Sequence, residues 1–440
     1  MKIQHLIYFL TLTVTFGYSQ IVNIPDSNFK TYLLNHPNIN TNGDSEIQET
    51  EAIQYAGTIR CGTGSIRDLT GIEKFINIEA LICKRNYLTN IDLSNNIKLT
   101  ELDLDSNDIT SLDLSQNINL KNFTCADNAL TNLILPDSEI LESITCWDNQ
   151  ITSLDISKNI NLKHILITTN RISTLDFTKN INLISINCGF NKLTNLDLSN
   201  NTALLSLNCS GNRLKSLDFS KNTELNTLFC GFQRFGGLEN LNVTQNRLLE
   251  NFACQEGILT NLDLSNNTDL THFNCEFNDL RSLDLSQNNK LRVFQARANE
   301  LEYVNLKNGG NADNLLSVQL KLNPNLSCIK IDNINIPESK DSWSIDDTAY
   351  YSEDCETLGV HNIKEDILSI SVFPNPVSDE LRINSVENLK EINLYTLQGK
   401  LIKHHLNSSK MNVSNLNFGL YIFEAITVNG DRYTDKVFKI

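Results

Sequence analysis

The chain has 440 residues, of which 20% are charged and 40% are hydrophobic, and its formal net charge at pH 7 is −16. This length is sufficient for more than one domain. The excess of acidic residues disfavours nucleic acids and anionic membrane surfaces as partners, because both carry the same sign of charge as the chain.

The first twenty residues predict a signal peptide. Lys2 provides a small positive start, an apolar run follows over residues 6–16, and small and polar residues lead to Gln20. The apolar run is too short to remain as a membrane span, so we expect cleavage near Ser19 or Gln20. We expect no membrane-spanning segment in the mature chain.

Residues 21–60 predict a small helical N-terminal cap with an EF-hand-like loop. Residues 25–34 combine a helix-start signal with apolar residues at helical spacing. The loop fits the twelve-residue calcium frame, in which oxygen ligands come from Asn40, Asn42, Asp44, Glu46 and Glu51. Because Asn40 replaces the usual Asp and Ser45 the usual Gly, the alternatives are a weak calcium site and a turn that only caps the chain. Calcium is the one cofactor that the sequence suggests, and none is required.

From residue 61 to residue 325 the sequence repeats a 21-residue unit, with a looser first coil over residues 61–90. Successive anchors are 21 residues apart, except for a step of 24 from Leu217 to Leu241. A fixed period in this range indicates a solenoid. The anchors are the first apolar residues of the L-D-L-like triplets: Ile91, Leu112, Leu133, Leu154, Leu175, Leu196, Leu217, Leu241, Leu262, Leu283 and Val304.

Each unit contains two half-units with similar patterns. One is L-x-x-L-D-L-S-x-N, and the other is L-x-x-[LIF]-x-C-x-x-N. Both contain an apolar-x-apolar triplet, whose period of two predicts a short strand with one face inward. We therefore predict a mainly β solenoid with two short parallel strands per coil. At about 4.8 Å per coil, the anchored coils extend for about 50 Å.

This pattern resembles the leucine-rich repeat family, in particular the 21-residue variant with nested half-repeats found in secreted bacterial proteins. The resemblance covers residues 80–325 and rests on many copies that agree at the Leu, Asp, Asn and Cys positions. It implies a solenoid that recognises a ligand through its variable positions, although a fold does not by itself determine function.

Three columns of the repeat are predicted to be structural. Leu columns fill the interior, and Asn columns end each half-unit, where an inward amide can donate to and accept from unpaired backbone groups. The third column is Cys, and Leu104, Ile167 and Ala296 fill the same slot in other coils. Since any small apolar residue is accepted, without nearby His or C-x-x-C spacing, we expect inert core thiols. They are Cys61, Cys83, Cys125, Cys146, Cys188, Cys209, Cys230, Cys254 and Cys275.

An outward Asp column accompanies the L-D-L triplets. Like charges that are stacked one coil apart repel each other. The favoured interpretation is that each carboxylate caps turn amides of its own coil, and the alternative is a cation-binding ridge, although one column supplies few oxygens per calcium ion. The column contains Asp92, Asp113, Asp155, Asp176, Asp197, Asp218, Asp263 and Asp284.

The two positions that follow the Cys slot are variable and are the candidate ligand-binding positions. Trp147, Phe190, Phe232 and Phe277 place aromatic side chains there, and an apolar patch on a polar surface indicates binding. The alternative is that the rings fold over the turn and cover the ladder. The 24-residue coil predicts a bulging loop on the same side, which we expect to disrupt the Asn column at Gln233.

Residues 326–356 predict a C-terminal cap, because the repeat breaks after Leu306 and an open solenoid end must be covered. Cys328 and Cys355 are the two cysteines outside the ladder, 27 residues apart in an exported chain, so we predict a disulfide between them. Closing a loop of this size stabilises the fold by about 3–4 kcal/mol in the chain-entropy model. Residues 357–366 are polar and unpatterned and predict a linker.

Residues 367–440 predict a separate β-sandwich domain, because alternating strands are separated by Pro, Gly and Asn. Residues 373–377, 394–400 and 419–421 resemble the C-terminal sorting domain of the type IX secretion system of Bacteroidetes. The resemblance implies passage across the outer membrane, removal of this domain there, and release of the rest or its retention at the cell surface. The secretion machinery is therefore one expected partner.

The sequence contains no catalytic constellation. Its seven His residues have no metal-ligating spacing, and the G-x-S-x-G, Walker and H-E-x-x-H motifs are missing from it. We therefore predict a monomeric, non-enzymatic protein that is secreted or displayed on the cell surface and binds a protein or a glycan. The alternatives are a structural spacer or matrix protein without a specific ligand, and an accessory carbohydrate-binding protein whose aromatic rings stack on sugars.

Overall fold

The computed structural model describes residues 20–233, 237–311, 314–337, 341–355, 370–375, 377–385, 388–396, 399–428 and 432–439. The predicted signal peptide up to residue 19 and the predicted linker over residues 357–366 lie outside these ranges. The chain divides into two compact units, residues 1–355 and 356–440, and each is described by itself.

One long parallel sheet is the main element of the first unit. The half-units with the Cys pattern each contribute a short strand, and neighbouring strands pair in register, with Leu207 opposite both Ile186 and Leu228. Among the described residues the sheet has 14 strands. In spatial order they are Thr58–Arg60, Ala80–Ile82, Glu101–Asp103, Asn122–Thr124, Ser143–Thr145, His164–Leu166, Ser185–Asn187, Ser206–Asn208, Thr227–Phe229, Asn251–Ala253, His272–Asn274, Val293–Gln295, Ser317–Gln319 and Trp343–Ser344.

The L-D-L half-units form regular strands in only part of the described solenoid. The anchor residues Leu112 and Leu283 lie within strands and are each 2% exposed. In the middle coils, where no strand is formed among the described residues, anchors such as Leu175 and Leu196 are only partly buried. The mainly β solenoid is confirmed, but its second ladder is discontinuous. Its strands are Ser111–Asp113 with Asn132–Ile134, and Ser282–Asp284, Tyr303–Asn305, Cys328–Lys330 and Tyr350–Ser352.

The interior of the solenoid is one continuous apolar core. Inward residues from successive strands stack on each other, and the rings of Phe252, Phe273 and Phe294 have centroid separations of 5.5 and 5.8 Å. Burial of such a side chain contributes about 1.5–3 kcal/mol. Because each side chain is covered by the coils on both sides, a single coil cannot be stable alone.

The first Asn column closes the turn after most strands of the long sheet, and the same position after Asn251–Ala253 is Gly257. Asn170 is representative: its Nδ2 donates to the carbonyl oxygens of Cys146 at 2.9 Å and Ile167 at 3.2 Å. Its Oδ1 accepts from the backbone N–H of Ile151 at 3.0 Å. One buried side chain therefore joins its own coil to the coil before it.

The expectation that the Asn column is disrupted at Gln233 is wrong. Gln233 is 5% exposed. Its Oε1 accepts from the N–H of Leu214 at 3.0 Å, and its Nε2 donates to the carbonyl oxygens of Cys209 and Cys230, each at 3.0 Å. The longer Gln side chain therefore reproduces the Asn bonds. Residues 234–236, in the predicted bulging loop, lie outside the described residues.

The second Asn column, which follows the L-D-L triplets, is bonded differently. The Nδ2 of Asn180 donates to the carbonyl oxygens of Ile156 at 3.0 Å and Asn159 at 2.8 Å. Its buried Oδ1 accepts no hydrogen bond from any described residue. This column therefore donates without accepting, in contrast to the expectation for an inward Asn. The same holds for Asn96, Asn117, Asn201, Asn222, Asn246, Asn267 and Asn288.

The two columns predict different costs of removing the amide. Asn170→Ala leaves the Ile151 N–H and two carbonyl groups without their partner, so the free energy of unfolding should fall by about 1–3 kcal/mol. Asn180→Ala also removes an unsatisfied oxygen, so its cost should be smaller. Urea denaturation of both variants measures the difference. An equal or larger loss for Asn180→Ala would contradict this account.

An N-terminal cap covers the first coil. Its helices are Ser27–Leu34 and Glu49–Gln54, and a 3-10 helix, Ile72–Lys74, follows the first strand of the sheet. Phe29 and Leu33 are fully buried on the inner side of the first helix and belong to the same apolar core as the coils. The cap thus extends the core to its N-terminal end.

The C-terminal cap contains the predicted disulfide. Cys328 and Cys355 are bonded, with their Cα atoms 5.9 Å apart. Cys328 begins a strand that pairs with Tyr350–Ser352, so the disulfide joins neighbouring parts of the last coils. This prediction is confirmed.

The second unit contains two antiparallel sheets that share one apolar core. Leu381 and Met411 come from the first sheet, Ile392 and Phe423 from the second, and all four are buried in a single cluster. Two sheets around a common core support the predicted sandwich. The first sheet consists of Ser371–Phe373, Glu380–Asn384 and Lys410–Asn412, and the second of Leu401–Leu406, Leu389–Tyr395, Gly419–Thr427 and Arg432–Lys439.

Candidate ligand-binding face

The four aromatic candidates lie on alternate coils of the long sheet. Trp147 is 38% exposed, Phe190 46% and Phe277 48%, while Phe232 is half-buried. Trp147 directly follows its Cys slot, whereas each Phe lies one residue further, in the turn. The candidates therefore form two neighbouring columns rather than one cluster.

The turn position of the three Phe residues requires a left-handed backbone. Phe190, Phe232 and Phe277 have φ values of 51°, 57° and 56°. The same position has positive φ in the other coils, where Gly211 and several small or acidic residues occupy it. A left-handed conformation costs about 1–2 kcal/mol for a residue with a side chain. Turn geometry alone therefore does not favour an exposed Phe at this position.

Phe190 and Phe232 form a ring pair across the coil between them. Their ring centroids are 6.5 Å apart and the rings are tilted by 36°. Gly211 lies between them, and a Cβ atom at this position would be 2.6 Å from the Phe190 ring. The missing side chain of Gly211 thus allows the Phe190 ring to lie over the turn of the next coil.

The outer surface of the long sheet carries no Asp, Glu, Lys or Arg between strands Asn122–Thr124 and Asn251–Ala253. We call this surface the uncharged face and define it by the outward residues of these strands and the residue after each Cys slot. Its length over these strands is about 30 Å at 4.8 Å per strand. Its members are Asn122, Thr124, Ala126, Ser143, Thr145, Trp147, His164, Leu166, Thr168, Ser185, Asn187, Gly189, Ser206, Asn208, Ser210, Thr227, Phe229, Gly231, Asn251, Ala253 and Gln255.

Charge returns on the same columns at both ends of the uncharged face. Lys84 and Asp103 form an ion pair at 3.2 Å before it, and Glu276 and Arg297 approach to 4.0 Å after it. The uncharged face is therefore a bounded region in a chain with a large net charge.

Two apolar residues of this face are absent from the sequence-based candidates. Phe229 is 37% exposed and Leu166 is half-buried, and both are the third residue of a strand. The alternation of side chains along a strand places this position on the opposite side from the buried central residue. This alternation is readable in the sequence, whereas the sequence-based candidates came only from the positions after the Cys slot.

The outward Asp column caps the turns of its own coils. The Oδ1 of Asp197 accepts from the N–H of Ser199 at 2.9 Å, and Asp155 and Asp218 make the same bond two residues on. These backbone hydrogen bonds lower the pKa of the three carboxyl groups below the ordinary value of 3.8. The favoured interpretation of this column thus agrees with the hydrogen bonds. Among the described residues, no group of three or more His, Cys, Asp or Glu side chains is arranged to hold a metal ion.

The lowered carboxyl pKa values predict a loss of stability in acid. A carboxyl group with a lowered folded-state pKa contributes stability above about pH 4, and this contribution is lost as the pH falls through the folded pKa. The triple variant Asp155→Asn, Asp197→Asn, Asp218→Asn keeps an acceptor oxygen and has no carboxyl group to protonate. Its thermal midpoint should therefore fall less than that of the unmodified chain between about pH 6 and pH 3.

The control for the acid experiment is Asp279→Asn, which removes an exposed carboxylate elsewhere in the repeat region. This variant should follow the unmodified chain across the pH range. A triple variant whose midpoint falls as steeply as that of the control would contradict the proposed role of the column.

The EF-hand-like loop uses its candidate ligand oxygens for hydrogen bonds within the cap. The Oε1 of Glu51 accepts from the N and Oγ1 of Thr41 and from the N of Asn42, at 2.8 to 3.2 Å. The side chains of Asn40, Asn42 and Asp44 accept from backbone N–H groups of the loop, and Glu46 forms an ion pair with Lys30 at 2.7 Å. These bonds favour the second alternative, a turn that only caps the chain, and calcium binding itself is untested.

The bonds of Glu51 predict a cap that folds without calcium. Glu51→Gln replaces one acceptor oxygen of a side chain that is only 6% exposed, so the thermal midpoint should fall, both in calcium and in EDTA. The unmodified chain should have the same midpoint in both buffers. A rise in calcium that Glu51→Gln abolishes would instead assign a metal site to this loop.

The ladder cysteines are buried, and none of them forms a disulfide bond. All nine are free thiols in the interior of the solenoid. Burial raises the pKa of Cys188 to about 12 and raises those of Cys209 and Cys230 well above the ordinary value. Since the thiolate is the reactive form, these residues are inert at neutral pH.

Residues 371–439 match the family model of the secretion system C-terminal sorting domain. The C-terminal part of the chain is such a sorting domain. This domain marks proteins that the type IX secretion system exports to the cell surface or beyond it. The chain is therefore an exported protein, and among its described residues no helix has the length and apolar character needed to span a membrane.

The chain is similar to two solved internalin structures from Listeria monocytogenes. The functional domain of InlJ, which includes a cysteine ladder, has 24% sequence identity and a TM-score of 0.61, over 96% of this chain and 100% of that chain. The internalin InlF has 18% identity and a TM-score of 0.58, over 75% of this chain and 96% of that chain. This likeness shows the leucine-rich repeat fold. No curated protein matches the sequence significantly.

Proposed function

We propose that this protein is a non-catalytic recognition protein that binds a protein or a glycan outside the cell through the uncharged face. The observation that carries the proposal is the continuous absence of charge over about 30 Å of exposed sheet. Charged residues make up 20% of the chain. Solubility alone does not explain why charged residues are absent over this length of surface.

Exposed apolar side chains on this face support binding. Trp147, Leu166 and Phe229 interrupt a row of small polar residues, and exposed aromatic residues commonly provide the anchors of a binding surface. Phe190 and Phe277 add exposed rings at the adjacent turns, where the backbone conformation disfavours them. A ligand would cover the apolar surface of these rings that is exposed to solvent in the free protein.

A binding function fits the shape of the described surface better than catalysis does. The cavities of about 580 and 270 Å³ are lined by L-D-L half-units, around Asp263 and around Asp197, and are open to solvent. An enzyme site usually needs a cleft that excludes water and holds groups with matched pKa values. An exposed sheet surface of this length is suited to a large ligand that is held at many points.

The binding proposal predicts a specific loss in Trp147→Ala. The purified chain should retain at least one ligand on an array of extracellular proteins and glycans. Trp147→Ala should weaken that interaction about tenfold or more, because the anchor ring is removed. The matched control is Ile181→Ala, which removes a side chain with 56% exposure on the L-D-L side of the coil.

The outcomes of the array separate the alternatives. Equal losses in both variants, or none in either, would place binding outside the uncharged face. Binding of no array member would favour the structural spacer. Hydrolysis of an arrayed polymer by the purified chain would contradict the non-catalytic part of the proposal.

A further inference from the structure

We infer that the occupant of the uncharged face is a neutral polysaccharide, bound along the sheet. This inference rests on the proposed function, because it names the ligand class of the same face. Two kinds of group are required for such a ligand: neutral hydrogen-bond partners for hydroxyl groups, and apolar surface for the C–H faces of sugar rings. The uncharged face provides both on neighbouring strands.

Asn187 and Asn208 provide oriented donors. Their Oδ1 atoms accept from the backbone N–H groups of Gly189 at 3.3 Å and Ser210 at 3.1 Å. The two residues lie opposite each other on adjacent strands, so their separation is about 4.8 Å. No hydrogen bond from either Nδ2 to another described residue is formed. Each amide is thus held by its oxygen and keeps two N–H groups for a ligand.

Gly189 gives Asn208 the room for this arrangement. A Cβ atom at Gly189 would be 3.2 Å from the Oδ1 of Asn208 and 3.2 Å from the carbonyl oxygen of Ser210. The backbone of Gly189 has no positive φ, so the requirement at this position is space rather than conformation. The missing Cβ atom of Gly189 therefore leaves space for a ligand beside the two donors.

Apolar side chains flank the two donors in the same row. Phe229 is paired with Asn208 in the next strand, and Leu166 is paired with Asn187 in the strand before. The order along the sheet is therefore apolar, donor, donor, apolar. Sugar rings alternate hydroxyl edges with C–H faces, and a ring such as Phe229 can cover a C–H face while the adjacent amides bind hydroxyl oxygens.

The charge and composition of the face decide between ligand classes. Anionic glycans and nucleic acids would find no cation on the face and a chain with a net charge of −16 around it. Protein interfaces are enriched in Tyr, Trp and Arg at their energetic centres, and this face has one Trp and neither Tyr nor Arg. A neutral polymer of hydroxylated rings matches both observations.

The length of the face indicates a polymer rather than a small sugar. Hydrogen-bond donors and hydroxyl side chains continue for about 30 Å along the face. The cavities described above are lined by L-D-L half-units and do not enclose this surface. A monosaccharide would touch only a small part of this surface. A polymer can repeat weak contacts along the rows, so that the whole interaction becomes specific.

Affinity electrophoresis of the full chain tests the inference. Native gels contain a neutral polymer, from a panel of hydroxyethyl cellulose, xyloglucan, galactomannan, mixed-linkage glucan and dextran, or an anionic one, from carboxymethyl cellulose and alginate. We expect retardation by at least one neutral polymer and by neither anionic polymer. Since no charge pair is involved, the dissociation constant should change less than about twofold as salt is raised.

Single variants locate the interaction. Phe229→Ala and Asn208→Ala should each raise the dissociation constant about tenfold, because an anchor ring or two donated hydrogen bonds are lost. The matched control is Asn195→Ala, an exposed amide on the L-D-L side, which should bind normally. Thermal midpoints of Phe229→Ala and Asn195→Ala should stay close to that of the unmodified chain, because these side chains are not part of the core. Asn208→Ala should lower the midpoint only slightly, through the lost bond to the Ser210 N–H.

The results distinguish this inference from the proposed function. Binding only to proteins, with loss in Trp147→Ala, would overturn the neutral polysaccharide and leave the recognition function standing. Binding only to anionic polymers, or binding that salt abolishes, would overturn the inference as well. A panel and an array that both yield no ligand would overturn both proposals.

Discussion

The hydrogen bond from an inward side-chain amide to the coil before it is the interaction on which the rest of the structure depends. Asn149 donates to the carbonyl oxygen of Cys125 at 3.0 Å, 24 residues earlier, and accepts from the N–H of Leu130 at 2.9 Å. Such a bond forms only if every coil has a length that returns the amide to the same place. The 21-residue period is therefore a geometric condition on each turn of the chain.

The tolerance of this condition is visible where the period fails. The coil of 24 residues replaces Asn with Gln233, and the longer side chain reaches the same three groups. Neighbouring strands stay paired in register across this coil, with Leu228 opposite Phe252. The strand register thus continues across the longer coil, although the next position of the inward amide column is Gly257. Inward residues hold the coils together, so outward side chains contribute little to the stability of the fold. The outward positions can therefore lack charged residues without destabilising the solenoid.

The sequence predicts the positions of the inward columns well, their hydrogen bonds only in part and the outward surface poorly, and the reason is physical. Leu, Asn and Cys positions recur because every coil must satisfy the same packing and hydrogen bonds, so their period is readable in one chain. The discontinuity of the second ladder is not readable, because half-units with and without a strand share one pattern, as Leu112 and Leu154 show. Phe229 was missed for another reason: it is the third residue of its strand, and the sequence-based candidates came only from the positions after the Cys slot.

The same repeat explains how nine free thiols coexist with one disulfide in an exported protein. Contacts between coils join residues about 21 positions apart, and such local contacts favour rapid formation of structure. Each ladder cysteine then becomes buried next to the preceding coil, where the raised pKa of residues such as Cys188 suppresses the thiolate needed for exchange. Cys328 and Cys355 lie instead in the last coils, beyond which no further coil of the solenoid follows among the described residues. Their disulfide stabilises the last coils, which no following coil covers among the described residues.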